Sequence, residues 1–185
     1  DIDLSVASQP ASCGIQTFTA AVSNAGWDDL EGSLTARADF WTDTRDVFAA
    51  GGGGSWNGSF AVSFAAATPG AHQIVFELRD GAGVLVGQSQ QNISVQGGEC
   101  GLSASPSYAV FPPGEEAQLP FVIENRGDQA ARCRLELEAF EEQGPEIAVV
   151  AIEPCEDRPV VLSYLLPWDL EAGNEAIGLI ALVLQ

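Results

Sequence analysis

An internal repeat constrains this chain more than any other feature: the segment from Thr19 to Trp41 returns, in diluted form, further along. The first copy reads Ala21-Val22-Ser23-Asn24-Ala25-Gly26, then a short acidic turn, then Ser33-Leu34-Thr35-Ala36-Arg37-Ala38-Asp39-Phe40. The second reads Val122-Ile123-Glu124-Asn125-Arg126-Gly127, a short turn, then Arg132-Cys133-Arg134-Leu135-Glu136-Leu137-Glu138-Ala139-Phe140. Asn24 and Asn125 set the offset at 101 positions. In both copies an alternating strand runs into Asn-x-Gly, turns and returns as a second alternating strand, so one β unit is used twice. A chain of 185 residues with that offset is expected to form two domains, 1–97 and 98–185.

In the first unit, Ile2, Leu4 and Val6 alternate with Asp3 and Ser5 as strand A, which Pro10 stops. Strand B is Thr17 to Ser23, with Phe18, Ala20 and Val22 on one face. Asn24-Ala25-Gly26 is expected to end it by turning, since Asn and Gly tolerate left-handed backbone. Strand C follows from Leu34 to Trp41, and the polar, then Gly-rich stretch from Thr42 to Gly58 is expected to be the loosest loop. Strand E is Phe60 to Ala66, Pro69-Gly70 turns, strand F is His72 to Arg79, Asp80-Gly81-Ala82-Gly83 is a hairpin signal, and Val84 to Val95 is strand G.

Gly97-Gly98-Glu99 reads as a short linker into the second unit. There strand A is Leu102 to Ala109, B is Gln118 to Glu124, C is Arg132 to Phe140, and Ile147 to Ile152 is a D or C′ strand. Strand E is Val160 to Leu166, and F is Ala176 to Leu184. Nothing in this half matches Val84 to Val95. Ile177 to Leu184, with Ile177, Leu179, Ile180, Leu182 and Leu184, is therefore read as an assembly edge that no Lys or Pro blunts. Strand A fills the place, or the chain is one segment of a longer protein, or another molecule supplies the strand by strand addition.

These turns resemble those of the cell-adhesion-related bacterial domain (CARDB) and allied fibronectin-III-like, immunoglobulin-like β-sandwich modules of bacterial and archaeal surface proteins. The matching residues are Asp3-Leu4, Val22-Ser23-Asn24-Ala25-Gly26 and Pro69-Gly70-Ala71-His72-Gln73-Ile74 in the first unit. In the second they are Pro113-Gly114-Glu115, Ile123-Glu124-Asn125-Arg126-Gly127, and Pro167 followed by Gly173. Before its last strand the first unit carries Gly87-Gln88-Ser89-Gln90-Gln91-Asn92, where the family often has an acidic, Asn-rich segment. The resemblance implies an all-β chain of two tandem sandwiches, non-catalytic, serving adhesion, spacing or assembly outside the cell, with surface-protein domains or copies of itself as partners.

Charge agrees with that setting. There are 26 acids against 7 Arg and no Lys, for a net charge of −19. Such a field repels nucleic acid and anionic lipid. No apolar run reaches the ~18 residues of a membrane helix, so membrane insertion is not expected. Asp1 is an unusual first residue, and removal of a signal peptide is expected.

The four cysteines form no CxxC and have no His nearby, which argues against zinc and for cystine. In a sandwich of this strand order the A–B turn and the end of strand G share a pole, so Cys13 is expected to pair with Cys100. Cys133 and Cys155 lie together in the second unit and are expected to pair there. Such loops stabilise by roughly 3–4.5 kcal/mol in the chain-entropy model, and they place the protein outside a reducing cytosol, secreted or at the cell surface.

Catalytic residues are not expected. His72, the single His, reads as structural; Gly51 to Gly54 lack the Lys of a phosphate loop, and Ser55 lacks a nucleophile elbow. Asp28-Asp29, Glu115-Glu116 and Glu141-Glu142 are adjacent acids, which on a strand point to opposite faces. No cofactor is expected, though Asp28, Asp29 and Glu31 crowd one loop and form a weak calcium candidate without EF-hand spacing. Trp27 and Trp56 stand in expected loops as candidate contacts for a sugar or a protein; Trp41 and Trp168 read as core lids. Asn57-Gly58-Ser59 and Asn92-Ile93-Ser94 are glycosylation sequons. Three functions follow: a structural subunit or spacer of a surface protein or filament, a carbohydrate- or protein-binding module beside an enzyme, and, least supported, an enzyme.

Overall fold

Every described element is a strand, because short alternating apolar runs punctuated by Gly, Pro and Asn suit a pleated, half-buried surface and no helical period competes. The computed structural model describes residues 1–104, 112, 114–138, 146–165 and 179–184. The chain divides into two compact units, Asp1–Gln96 and Gly97–Gln185.

The first unit has seven strands: β1 (Ile2–Ser8), β2 (Ile15–Asn24), β3 (Leu30–Arg37), β4 (Thr42–Ala49), β5 (Gly54–Ser63), β6 (Gly70–Asp80) and β7 (Leu85–Val95). They make one antiparallel sheet in the order β1-β2-β5 and another in the order β4-β3-β6-β7. In sandwich lettering these are A-B-E and C′-C-F-G, the immunoglobulin-like arrangement of fibronectin-III type. Between the sheets Phe18, Phe60, Phe64, Phe76, Leu34, Ile74 and Leu78 are fully buried. Phe76 meets Phe18 at 5.7 Å and Phe60, edge to face, at 5.6 Å between ring centroids, spacings at which aromatic pairs attract beyond their burial.

The stretch from Thr42 to Gly58 is not a loose loop. It contains β4, a tight turn and the start of β5. Edge strand β4 escapes the apolar pattern because only Val47 and Ala49 are buried, while half-buried Asp43 and exposed Arg45 and Asp46 put charge on the edge. Its glycines have specific jobs. Gly52 and Gly53 adopt positive φ, and a Cβ on Gly51 would stand 2.1 Å from the Trp27 carbonyl oxygen.

The second unit repeats the plan with β8 (Cys100–Ala104), β9 (Glu116–Asn125), β10 (Ala131–Glu138), β11 (Glu146–Ile152), β12 (Asp157–Leu165) and β13 (Leu179–Leu184). The sheets are β12-β9-β8 and β11-β10-β13, or E-B-A and C′-C-F. Ala117, Phe121, Ile123, Leu135, Ile152 and Leu162 fill its core with Cys133. Residues 105–109, 139–140, 166 and 176–178 of the expected strands, together with Glu141-Glu142, Trp168 and Ile177, lie outside the described residues.

The cystine pairing differs from expectation. Cys100 bonds to Cys133, so neither the Cys13–Cys100 nor the Cys133–Cys155 bridge forms; Cys13 and Cys155 are nonetheless disulfide-bonded, and no described cysteine is free. Cys100 opens β8 in one sheet, and Cys133 sits fully buried on β10 in the other. The bridge thus staples the two sheets of the second unit through its core. Reading the repeat by loop poles missed it, because Cys133 shares its inward register with Leu135.

The Asn-x-Gly motif also works differently. Neither Asn24 nor Asn125 has positive φ. Each continues the inward parity of its strand, Phe18-Ala20-Val22-Asn24 and Phe121-Ile123-Asn125, and is buried to 1% and 2% exposure. The Asn24 carboxamide accepts from Gly26 N–H (3.0 Å) and donates to the carbonyls of Asp28 (2.8 Å) and Ala49 (3.0 Å). Asn125 accepts from Gly127 N–H (3.0 Å) and Glu99 N–H (3.1 Å) and donates to Gln129 (2.7 Å) and Ile152 (3.1 Å) carbonyls. The main-chain oxygens of both accept from the turn after the C′ strand, from Gly53 (2.8 Å) and from Cys155 (3.1 Å). One side chain therefore ties strand B, the B–C loop and the end of strand C′, which belong to different sheets.

Replacing Asn24 by Leu strands two carbonyls and an N–H, and replacing Asn125 strands two carbonyls and two N–H groups. Each variant should lose roughly 2–4 kcal/mol, from a cost of ~1–3 kcal/mol per buried group left unpaired. Asn→Asp, which keeps the shape but loses both donors, should also destabilise. Denaturant unfolding with amide hydrogen exchange in the affected unit reads both. Peptide mapping under non-reducing conditions should recover a Cys100–Cys133 crosslink, and reducing it should destabilise the second unit by about 3–4 kcal/mol for a loop of this size.

Candidate functional site

The clamp of Asn24 shapes the loop that follows it. Gly52 N–H donates to the Gly26 carbonyl (2.6 Å), Gly51 N–H to the Asp29 carboxylate (2.9 Å), and Ala25 N–H to the Asp1 carbonyl (2.8 Å). The B–C loop is thus sewn to the β4–β5 turn and to the start of the chain. At its tip Trp27 is 97% exposed. A fully hydrated indole gains nothing from its own fold. Asp28 and Asp29 flank it, both exposed.

Trp56, the other candidate contact, is not free. It packs against the core, and its ring lies over Gly58, where a Cβ would come within 2.1 Å of Cη2. Trp41 likewise packs on the core. The calcium candidate does not assemble: Asp29 is spent on Gly51, Glu31 lies on β3, and among the described residues no three His, Cys, Asp or Glu side chains gather to hold a metal. Asn57 and Asn92 are both exposed, on β5 and β7 rather than on loops.

His72 is a structural tie. Its side chain is 6% exposed, stands edge-on to Phe40 at 5.0 Å, and faces acceptors on both sides. Nε2 lies 2.6 Å from the Thr68 carbonyl, and Nδ1 lies 3.0 and 3.2 Å from the two Asp39 carboxylate oxygens. An imidazolium donates to both at once. The Thr68 carbonyl, then Asp39, accordingly raise the His72 pKa above 6.5, with burial acting in the opposite direction.

The other site lies in the second unit. β13 pairs with β10 and, among the described residues, with no strand on its other side, where β7 flanks β6 in the first unit. Leu179, Ile180, Leu182 and Leu184 therefore occupy an edge strand. No helix among the described residues is long and apolar enough to cross a membrane.

No family model matches the chain, and neither does any curated protein. Among solved structures it is similar to red sea bream transglutaminase, at 15% identity and TM-score 0.42 over 90% of this chain and 27% of that one. It is also similar to Escherichia coli alpha-2-macroglobulin, at 16% identity and TM-score 0.31 over 99% of this chain and 16% of that one. The chain spans about a quarter or less of those proteins, and likeness this remote carries no argument about function. The class rests on the sheets themselves: a tandem of immunoglobulin-like β-sandwiches, each with a buried carboxamide clamp, and cystine-bonded.

Because its folded pKa is raised, the His72 tie contributes stability fully below pH ~6.5 and loses it as pH rises through the folded value. Nuclear magnetic resonance titration of the imidazole should give a pKa above 6.5 in the native protein, and Asp39→Asn should lower it.

Proposed function

We propose that the chain is a non-catalytic extracellular module of the CARDB-like kind, a structural spacer or subunit of a surface protein or filament. The observation that carries this reading is the repetition of one clamped, cystine-bonded sandwich, whose loops are tied to the framework instead of being assembled around reactive groups. Cystine suits a secreted or cell-surface setting, and a net charge of −19 keeps such a module dispersed. Assembly proceeds by strand addition at β13, the incoming strand taking the place that β7 holds in the first unit. Appending a copy of Val84 to Val95 after Gln185 should abolish polymers seen by sizing and negative-stain microscopy. Polymers that form equally well with the appended strand would exclude β13 as the joint.

The exposure of Trp27 favours a second reading, an accessory module that binds carbohydrate or protein through that indole. Trp27→Ala leaves no cavity, so stability should change by less than about 0.5 kcal/mol. On a glycan array, binding that depends on Trp27 supports this alternative; no binding by either form leaves the spacer reading in place.

A further inference from the structure

The outward faces of the two C′-C-F sheets differ in a way that the repeat makes readable row by row. In the first unit, the two central cross-strand rows on that face are Asp46–Ser33–Arg79 and Thr44–Thr35–Glu77, both polar, with Phe48 and Val75 in the rows beyond them. The equivalent rows of the second unit are Val149–Arg134–Val183 and Ile147–Glu136–Ala181. The flanking strands have turned apolar and the central strand fully charged. Ile147 and Val149 are 42% and 45% exposed. After Glu146, β11 reads Ile147-Ala148-Val149-Val150-Ala151-Ile152 with no further polar residue, the composition of a strand covered on both faces rather than one.

At the centre, Arg134 Nη2 contacts Glu136 at 2.9 Å along the same strand, and these side chains are 34% and 28% exposed. The guanidinium is not fully used there: its Nε is shielded from solvent and has no hydrogen-bond partner among the described residues. A charged centre with an unspent Arg donor, bordered by exposed aliphatic side chains, has the anatomy of a protein interface.

From this we infer that the outer face of β11-β10-β13 is a two-fold contact between two copies of this chain. The charge order along β10 selects the partner. On this face Arg132 and Arg134 are followed by Glu136. A two-fold axis in the interface plane, across the strands at Leu135, sets Arg134 of each copy against Glu136 of the other. The patch is thus self-complementary, as an isologous interface requires. Packing the sheets face to face covers Ile147 and Val149 and brings the guanidinium a second carboxylate. This contact is separate from strand addition, which uses the backbone edge of β13 and not the side chains of the sheet face.

Sedimentation of the full chain across a concentration series at physiological salt tests it. Wild type should show a monomer–dimer equilibrium. Arg134→Glu and Glu136→Arg each set like charges against each other and should weaken the dimer by about tenfold or more, on the scale of close interfacial charge pairs. The double swap Arg134→Glu with Glu136→Arg restores opposite charges and should recover dimerisation; circular dichroism reports whether each variant is folded. Val149→Asp, on the exposed face, should give monomer. A wild-type chain that stays monomeric at every concentration overturns the inference. So does association that both single reversals leave unchanged, which would belong to the β13 edge and leave the strand-addition reading intact.

Discussion

Two buried carboxamides, Asn24 and Asn125, hold together main chain that no strand pairing connects. Each sits in strand B of one sheet and donates to the last carbonyl of strand C′ in the other, Ala49 or Ile152. A sandwich core is otherwise non-directional: apolar faces attract, yet sliding one sheet over the other by a few ångströms costs little burial. The clamp supplies the direction. Its geometry is satisfied only when the B–C loop and the turn after C′ lie where they are, and an Asn left without those partners would lose the hydration it gave up on burial. The surrounding glycines follow from the same constraint. A Cβ on Gly127 would stand 1.9 Å from the Gly97 carbonyl oxygen, so the approach of the second unit's first residue to this loop admits only Gly.

The constraint reaches the surface. Because the β4–β5 turn is sewn to the B–C loop, Trp27 is presented by a loop whose main chain is hydrogen-bonded on both sides, which lowers the ordering cost of any contact the indole makes. In the second unit the Cys100–Cys133 bridge adds a covalent tie between the two sheets. The acids are distributed differently from the apolar surface. Arginines pair with acids two positions away, as Arg126 with Glu124 and Arg158 with Glu156. These exposed pairs add little stability. The net negative field instead limits unspecific association and leaves recognition to local features.

Much of this was legible in the sequence. The all-β class, the tandem arrangement and most strands follow from alternation and turn residues, and the hairpin at Asp80 formed as its residues require, with the Asp80 carboxylate accepting from Ala82 and Val84 N–H. Three features were not legible. β4 was hidden because an edge strand buries only two side chains and spends the rest on charge. The Asn role was hidden by its type, since Asn is usually a turn former; its parity with Phe18, Ala20 and Val22 was the available signal. The cystine was misassigned because pairing by pole ignores parity, and Cys133 lies at the same inward register as Leu135. Trp27 was read as a candidate contact from its loop position alone, and Trp56 lost that role because β5 begins earlier than its polar sequence suggested.

The most direct test of the clamp is the exchange of its own protons. In selectively labelled protein, the side-chain amide protons of Asn24 and Asn125 should be well dispersed and should exchange with solvent only as slowly as the buried core amides of their units. Rapid exchange of both, like that of the exposed Asn57 and Asn92, would mean that the carboxamides do not hold the sheets and that the sandwich is kept in register by other means.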